Sequence, residues 1–298
     1  MIRHLPIPRG PFELAADLHL PGEHATPRAV VLATPGSSVK EQIGANYASR
    51  LAARGITALV FDPAHQGRSG GEPRDLEDPY RRGEDISFAI DALSAVPGVD
   101  PDRIGVLGIC AGGGYAVHTA RTDHRIKAVG TVVATDMGEA FRGFQPDGPA
   151  AALDALAAAR TEENRTGEQT RLNWLPDTLE EAGPTDLDTT QAITYYRTAR
   201  GWSEHSTNRR LARGDALLLG YDPFHLVDPL LTQPLQVVLA GRKGNTGSYD
   251  AGLRLWRAAP NPVDLMVVEG AGHYEMYDVP EHVDAAVDRL AGFYETHL

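Results

Sequence analysis

Six short runs of this chain are apolar along nearly their whole length: 29–34 (AVVLAT), 57–61 (TALVF), 103–108 (RIGVLG), 126–134, 234–240 and 263–269. A strand with one wet face alternates apolar and polar residues, whereas a continuously apolar strand needs cover on both faces. Helix-length segments separate the runs. Residues 41–54 place Ile43, Tyr47 and Leu51 on one face and stop at Gly55, and 80–96 is closed by Pro97-Gly98. Further helices are predicted at 112–121, near 249–258 and at 281–296, and a partly alternating strand at 12–20. Buried strands alternating with helices predict an α/β chain with a mostly parallel sheet, helices on both faces and right-handed crossovers.

The alternation breaks between 137 and 228, where no sheet strand is expected and 150–164 and 189–200 read as helices. Structureless loops of that length are uncommon, so the segment is predicted to be a helical lid inserted after the sixth strand. The chain then divides into a core, 1–136 with 229–298, and a lid, 137–228. A lid so placed would cover the C-terminal ends of the strands, where open α/β sheets bind ligands.

The formal net charge of −12 repels phosphate backbones and anionic lipid, so neither nucleic acid nor a membrane is an expected partner. The Arg209-Arg210 pair is too short to reverse this and reads as a solvated helix face. A single cysteine excludes an intrachain disulfide. No apolar run is long enough to span a bilayer, and MIRHLPIPRG has no signal-peptide core, so a cytoplasmic protein is the expectation. Nothing in the sequence decides between a monomer and a homodimer.

The one cysteine sits in Gly108-Ile109-Cys110-Ala111-Gly112, a G-x-C-x-G string between a predicted strand and a predicted helix. This spacing suits a nucleophile on a strained strand-to-helix turn, where both flanking positions must be small. The turn exposes the sulfur above the sheet at a helix N-terminus, which is expected to lower the thiol pKa. The tetrahedral oxyanion of acyl transfer needs donors. The Ala111 amide is one candidate, and the Ser37 amide, with Ser38 as runner-up, is the other. A general base is expected after the last strand, where His273 stands on a glycine-flanked loop. His65 reads as part of a structural loop, and His118 as packing or surface. The third member is open. Asn245 stands in 241–247, where an acid is expected, and Asp136 follows the 126–134 strand. In a serine triad, Asp→Asn costs about 10⁴ in rate, but a thiol is the better acid and needs less help.

The strings VKEQ (39–42), FDPAHQGRSGGEPR (61–74), DRIGVLGICAGGGYA (102–116), Asp136-Met137-Gly138, YYRTARG (195–201) and YDPFHLVDPLLTQPL (221–235) resemble a bacterial and fungal branch of the α/β hydrolases. That branch is similar to dienelactone hydrolases in its G-x-C-x-G elbow and includes polyketide transferases. The resemblance implies an α/β-hydrolase fold with an eight-stranded sheet, Cys110 as nucleophile, Ala111 as oxyanion donor and His273 as base. Two positions depart from the branch. Thr34-Pro35-Gly36 replaces His-Pro-Gly, and Asn245 stands where the branch has aspartate.

The expectation is acyl transfer through a Cys110 thioester from a small-molecule or carrier-bound ester, lactone or thioester, ending in hydrolysis, transfer or cyclisation. Two alternatives keep the fold: a lyase, isomerase or cyclase without a covalent adduct, and a retired, ligand-binding protein. Tyr195, Tyr196, Trp202, Tyr221, Phe224 and His225 are candidate pocket residues. No dinucleotide fingerprint or metal-ligand spacing appears, so no cofactor or metal is expected.

Overall fold

The computed structural model describes residues 1–22 and 26–298. Ten strands form among them: β1 (Ile2–Arg9), β2 (Phe12–His19), β3 (Ala29–Ala33), β4 (Thr57–Phe61), β5 (Ile104–Ile109), β6 (Val129–Val132), β7 (Arg171–Asn173), β8 (Arg209–Leu211), β9 (Leu235–Ala240) and β10 (Pro262–Val268). Eight of them make one sheet in the order β1-β2-β4-β3-β5-β6-β9-β10. The β1–β2 and β2–β4 pairs are antiparallel, and every other pair is parallel.

The side-chain period of two explains why the central strands are apolar throughout. Val31, Leu59, Val106 and Val237 point to one face, beneath helices Pro79–Ser94, Ala111–Ala120 and Ser248–Ala258. Val30, Val60, Leu107 and Val238 point to the other, beneath Ile43–Ala53 and Pro280–His297. Each strand therefore feeds two cores. β1 carries no such signal. It is an edge strand with two prolines, mostly exposed, and it joins β2 through a tight turn at Gly10 and Pro11.

Parallel register sets the active edge. Ala33 pairs with Gly108, Ile109 with Val132, Val132 with Val238, and Ala240 with Val268. The segments leaving β3, β5, β6, β9 and β10 therefore emerge side by side. Between β6 and β9 the chain adds nothing to the main sheet and forms mostly helices, the longest being Pro149–Thr166. As expected, none of the strands there joins the main sheet, but the segment does form a short separate antiparallel ribbon, β7–β8. Arg209 and Arg210 lie in that ribbon rather than on a helix. No helix among the described residues is long and apolar enough to cross a membrane.

Candidate active site

Cys110 caps the N-terminus of helix Ala111–Ala120 with φ +55° and ψ −124°, a backbone region that non-glycine residues rarely enter. Hydrogen bonds over-determine the turn. The Cys110 amide donates to the Val132 carbonyl at 3.0 Å, and the Cys110 carbonyl accepts from Gly113 at 2.9 Å and Thr135 at 3.0 Å. The flanking glycines are steric requirements. A Cβ on Gly108 would overlap the Gly112 carbonyl, and one on Gly112 would overlap the Ala33 carbonyl. Gly112→Ala is therefore expected to destabilise the fold by about 1–3 kcal/mol, readable as a lowered denaturation midpoint.

The sulfur is half-buried at a cavity of about 590 Å³, with Thr135 Oγ1 3.8 Å away. Burial raises the thiol pKa, against weaker opposing hydrogen bonds from the Tyr277 hydroxyl, Thr135 and the Ala111 amide. This corrects the expected lowering. Desolvation, which disfavours the charged thiolate, is the largest influence on the group.

His273 follows β10 and reaches the same cavity, with only 2% of its surface exposed. Its Nδ1 lies 2.9 Å from Ser248 Oγ, which is 3.0 Å from Thr246 Oγ1. Its Nε2 lies 3.2 Å from the Tyr277 hydroxyl, which also acts on the Cys110 thiol, lowering its pKa against the larger effect of burial. Cys110, Tyr277 and His273 thus line one cavity together. With no carboxylate bonded to the ring, burial pushes the His273 pKa down to about 3.

Neither expected third member hydrogen-bonds His273. Asn245 is exposed at the cavity wall. The backbone reverses at Gly247, with φ +74°, and delivers Ser248 to the ring instead. Asp136 caps helix Met137–Gly143, accepting from the Glu139 amide at 2.9 Å, and its other oxygen pairs with Arg254 at 2.8 Å.

The loop expected to supply the second oxyanion donor follows β3. The Ser38 amide is spent on the Pro35 carbonyl at 3.2 Å, which removes the runner-up donor. Ser37, at φ +60°, lines the cavity opposite Cys110. Buried Arg82 donates to the Thr34 and Pro35 carbonyls at 3.0 and 2.7 Å. Glu77, 3.0 Å from its guanidinium, balances its charge. Of the two peptides anchored this way, Thr34–Pro35 carries no N–H, so the trans geometry turns only the Gly36 amide away from Arg82.

Of the six expected pocket residues, only Tyr196 lines the cavity. Tyr195 packs behind it, its ring 5.1 Å from that of Tyr277. Trp202 is exposed, and so is His225. Tyr221 is sealed against Tyr80, Tyr115 and His118, and Phe224 stacks under Arg254. The apolar wall comes instead from Met137, Phe141, Phe144, Leu172 and Trp174, with Arg210 stacked on the Phe141 and Trp174 rings. Sequence reasoning missed these residues, and also Tyr277 and Ser248. Tyr277 lies one helical turn beyond His273, and Ser248 opens a helix straight after a glycine, so both carried a local signal. Among the described residues, no group of three or more His, Cys, Asp or Glu could hold a metal ion.

Residues 30–288 match the model of a family described as alpha/beta hydrolase. The chain is 37% identical to the uncharacterised protein YcjY of Escherichia coli strain K12, over 96% of this chain and 95% of that protein. It is 27% identical to the thiohydrolase aneE of Aspergillus aculeatus, over 83% of this chain and 78% of the other. The crystal structure of the hypothetical protein PA2218 from Pseudomonas aeruginosa superposes with a TM-score of 0.89 at 29% identity, covering 100% of this chain and 94% of that one. Family and relatives support a hydrolase-type enzyme, and the chain belongs to the alpha/beta hydrolase family.

Proposed function

We propose that this protein transfers acyl groups from an ester, lactone or thioester through a thioester on Cys110, with His273 as general base. The reading rests on Cys110, Tyr277 and His273 lining one cavity, with the Tyr277 hydroxyl 3.2 Å from His273 Nε2 and acting on the Cys110 thiol. The thiol proton passes to the Tyr277 oxygen as the phenol proton passes to Nε2, so Tyr277 stays neutral and the imidazole becomes cationic. The sulfur adds to the substrate carbonyl carbon, and the amides of Ala111 and Ser37 bind the oxyanion. The intermediate collapses, the carbonyl–heteroatom bond breaks, and the leaving alkoxide or thiolate takes the proton back through the same path. Water or another acceptor then loses a proton to His273 and attacks the thioester, and Cys110 leaves as thiolate and is reprotonated. The 137–228 excursion serves as the lid, because residues from it and from the core line opposite walls of the cavity. The thiohydrolase name carried by aneE supports a thioester substrate.

Acyl N-acetylcysteamine thioesters test this. Turnover by the wild type that falls at least 100-fold in His273→Ala supports the reading, and equal rates contradict it. The resting pair is expected to be neutral, because the thiol pKa is raised and the imidazole is neutral above about pH 3. Iodoacetamide labelling of Cys110 should then climb about tenfold per pH unit through neutrality and keep rising above pH 9. A plateau between about pH 5 and 8 would mean a preformed thiolate–imidazolium pair.

The same neutral resting state favours a second reading, in which Tyr277 and His273 carry protons for a lyase or cyclase reaction without an adduct. Catalysis surviving in Cys110→Ala would select it.

A further inference from the structure

The imidazole of this site has no acid of its own, and the part of the loop that orients it is held from outside the sheet. Residues 241–247 and the start of helix Ser248–Ala258 present Thr246 and Ser248 to His273. The first two residues of the loop are tied directly to the end of β10 and the His273 loop, Gly241 N–H to the Val268 carbonyl and Arg242 N–H to the Ala271 carbonyl, both at 2.8 Å, whereas the part that carries Thr246 is held elsewhere. Its anchor is Asp188, only 6% exposed, in the first turn of helix Leu187–Tyr196 within the inserted segment. The Thr246 amide donates to Asp188 Oδ2 at 3.1 Å. The same carboxylate lies over Gly244 so closely that a Cβ there would overlap it. Gly244 itself is exposed and its φ is not in the left-handed region, so the carboxylate is what its missing side chain accommodates.

The helix reaches the base from its other side too. Gln191 donates to Glu275 Oε1 at 3.3 Å, and the second Glu275 oxygen accepts from the Gly272 amide, next to His273, at 2.7 Å. Tyr196, at the end of the helix, stacks edge-on against Tyr274 and Tyr277. Beyond the helix, Arg200 pairs with Asp278 through two bonds of 2.7 and 2.6 Å. One helix therefore touches both loops that meet at the imidazole, while its Asp188, Thr189, Ala192 and Tyr196 line the substrate cavity.

We infer that Asp188 is a positioning residue that makes the base competent only while helix Leu187–Tyr196 is seated: its carboxylate locks the Gly244–Thr246 loop, which sets Ser248 and hence His273. Seating the helix closes the cavity wall and completes the base in the same movement. Acylation is thereby tied to a covered site, which disfavours attack by bulk water. This rests on the acyl-transfer reading above.

The full-length protein is tested with p-nitrophenyl acetate as probe, reading both the burst of p-nitrophenol, which reports acylation of Cys110, and steady-state turnover. Asp188→Ala should slow the burst and kcat at least tenfold with KM changed less than threefold. Asp188→Asn, which keeps an acceptor oxygen for the Thr246 amide, should recover to within about threefold of wild type. Gly244→Ala leaves Asp188 intact and pushes the same contact apart from the opposite side, at an exposed position. It should reproduce the kcat defect, and it keeps the inference falsifiable should Asp188→Ala not fold. Wild-type burst and kcat in Gly244→Ala, or a defect confined to KM in either variant, overturns the inference. The underlying reading fails separately, when the wild-type protein turns the ester over without a burst and without an acyl group on Cys110.

Discussion

Replacing Cys110 by serine is expected to lower kcat by about 10⁴, although the substitution exchanges only sulfur for oxygen. The magnitude follows from what surrounds His273. A serine hydroxyl must be deprotonated as it attacks, and the imidazolium so formed needs a carboxylate on its far nitrogen; a serine triad deprived of that charge loses about 10⁴. Here the far nitrogen meets the neutral Ser248 hydroxyl, and burial already drives the ring toward its neutral form. Sulfur tolerates this because a thiol gives up its proton far more easily than an alcohol. Single-turnover acylation by an activated ester measures the difference. A Cys110→Ser variant within tenfold of wild type would mean that another group supplies the missing charge.

Tyr277→Phe is expected to reduce kcat by about 10²–10⁴, the range for loss of a positioned proton carrier, with KM within about threefold. The ring contacts with Tyr195, Tyr196 and Tyr274 survive the change, so packing is kept and only the hydroxyl is lost. The proposed proton path makes that hydroxyl the link between Cys110 and His273, which share no direct hydrogen bond among the described residues. The rate of Cys110 acylation at fixed pH, together with the melting temperature, separates a chemical from a structural effect. Unchanged acylation would mean that the sulfur and imidazole exchange protons without the phenol.

What the sequence made legible was local. Continuous apolar runs at 29–34 and 57–61 mark strands covered on both faces, because each residue must enter one of two cores. The glycines around Cys110 mark the sharp strand-to-helix turn, because the steric demand lies within a few residues of it. His273 was legible from chain order alone. The rest depended on approach in space. Asn245 occupies the position where an acid is expected, yet one reversal at Gly247 hands that place to Ser248, and no pattern of residue types encodes the direction of such a turn. The aromatic pocket was misassigned for the same reason. Tyr221 and Phe224 belong to a segment that returns to the outer face of helix Ala111–Ala120, while Phe141 and Trp174 fold back over the sheet edge. The thiol pKa was misread because helix position is visible in sequence and depth of burial is not.

Intact-protein mass spectrometry after brief exposure to an activated acyl ester, followed by peptide mapping, tests the nucleophile directly. The geometry predicts a single added acyl group on the Cys110 peptide, removed by hydroxylamine, absent in Cys110→Ala and forming at least 100-fold more slowly in His273→Ala. Steady turnover by a Cys110→Ala protein with no acyl group on any residue would contradict it.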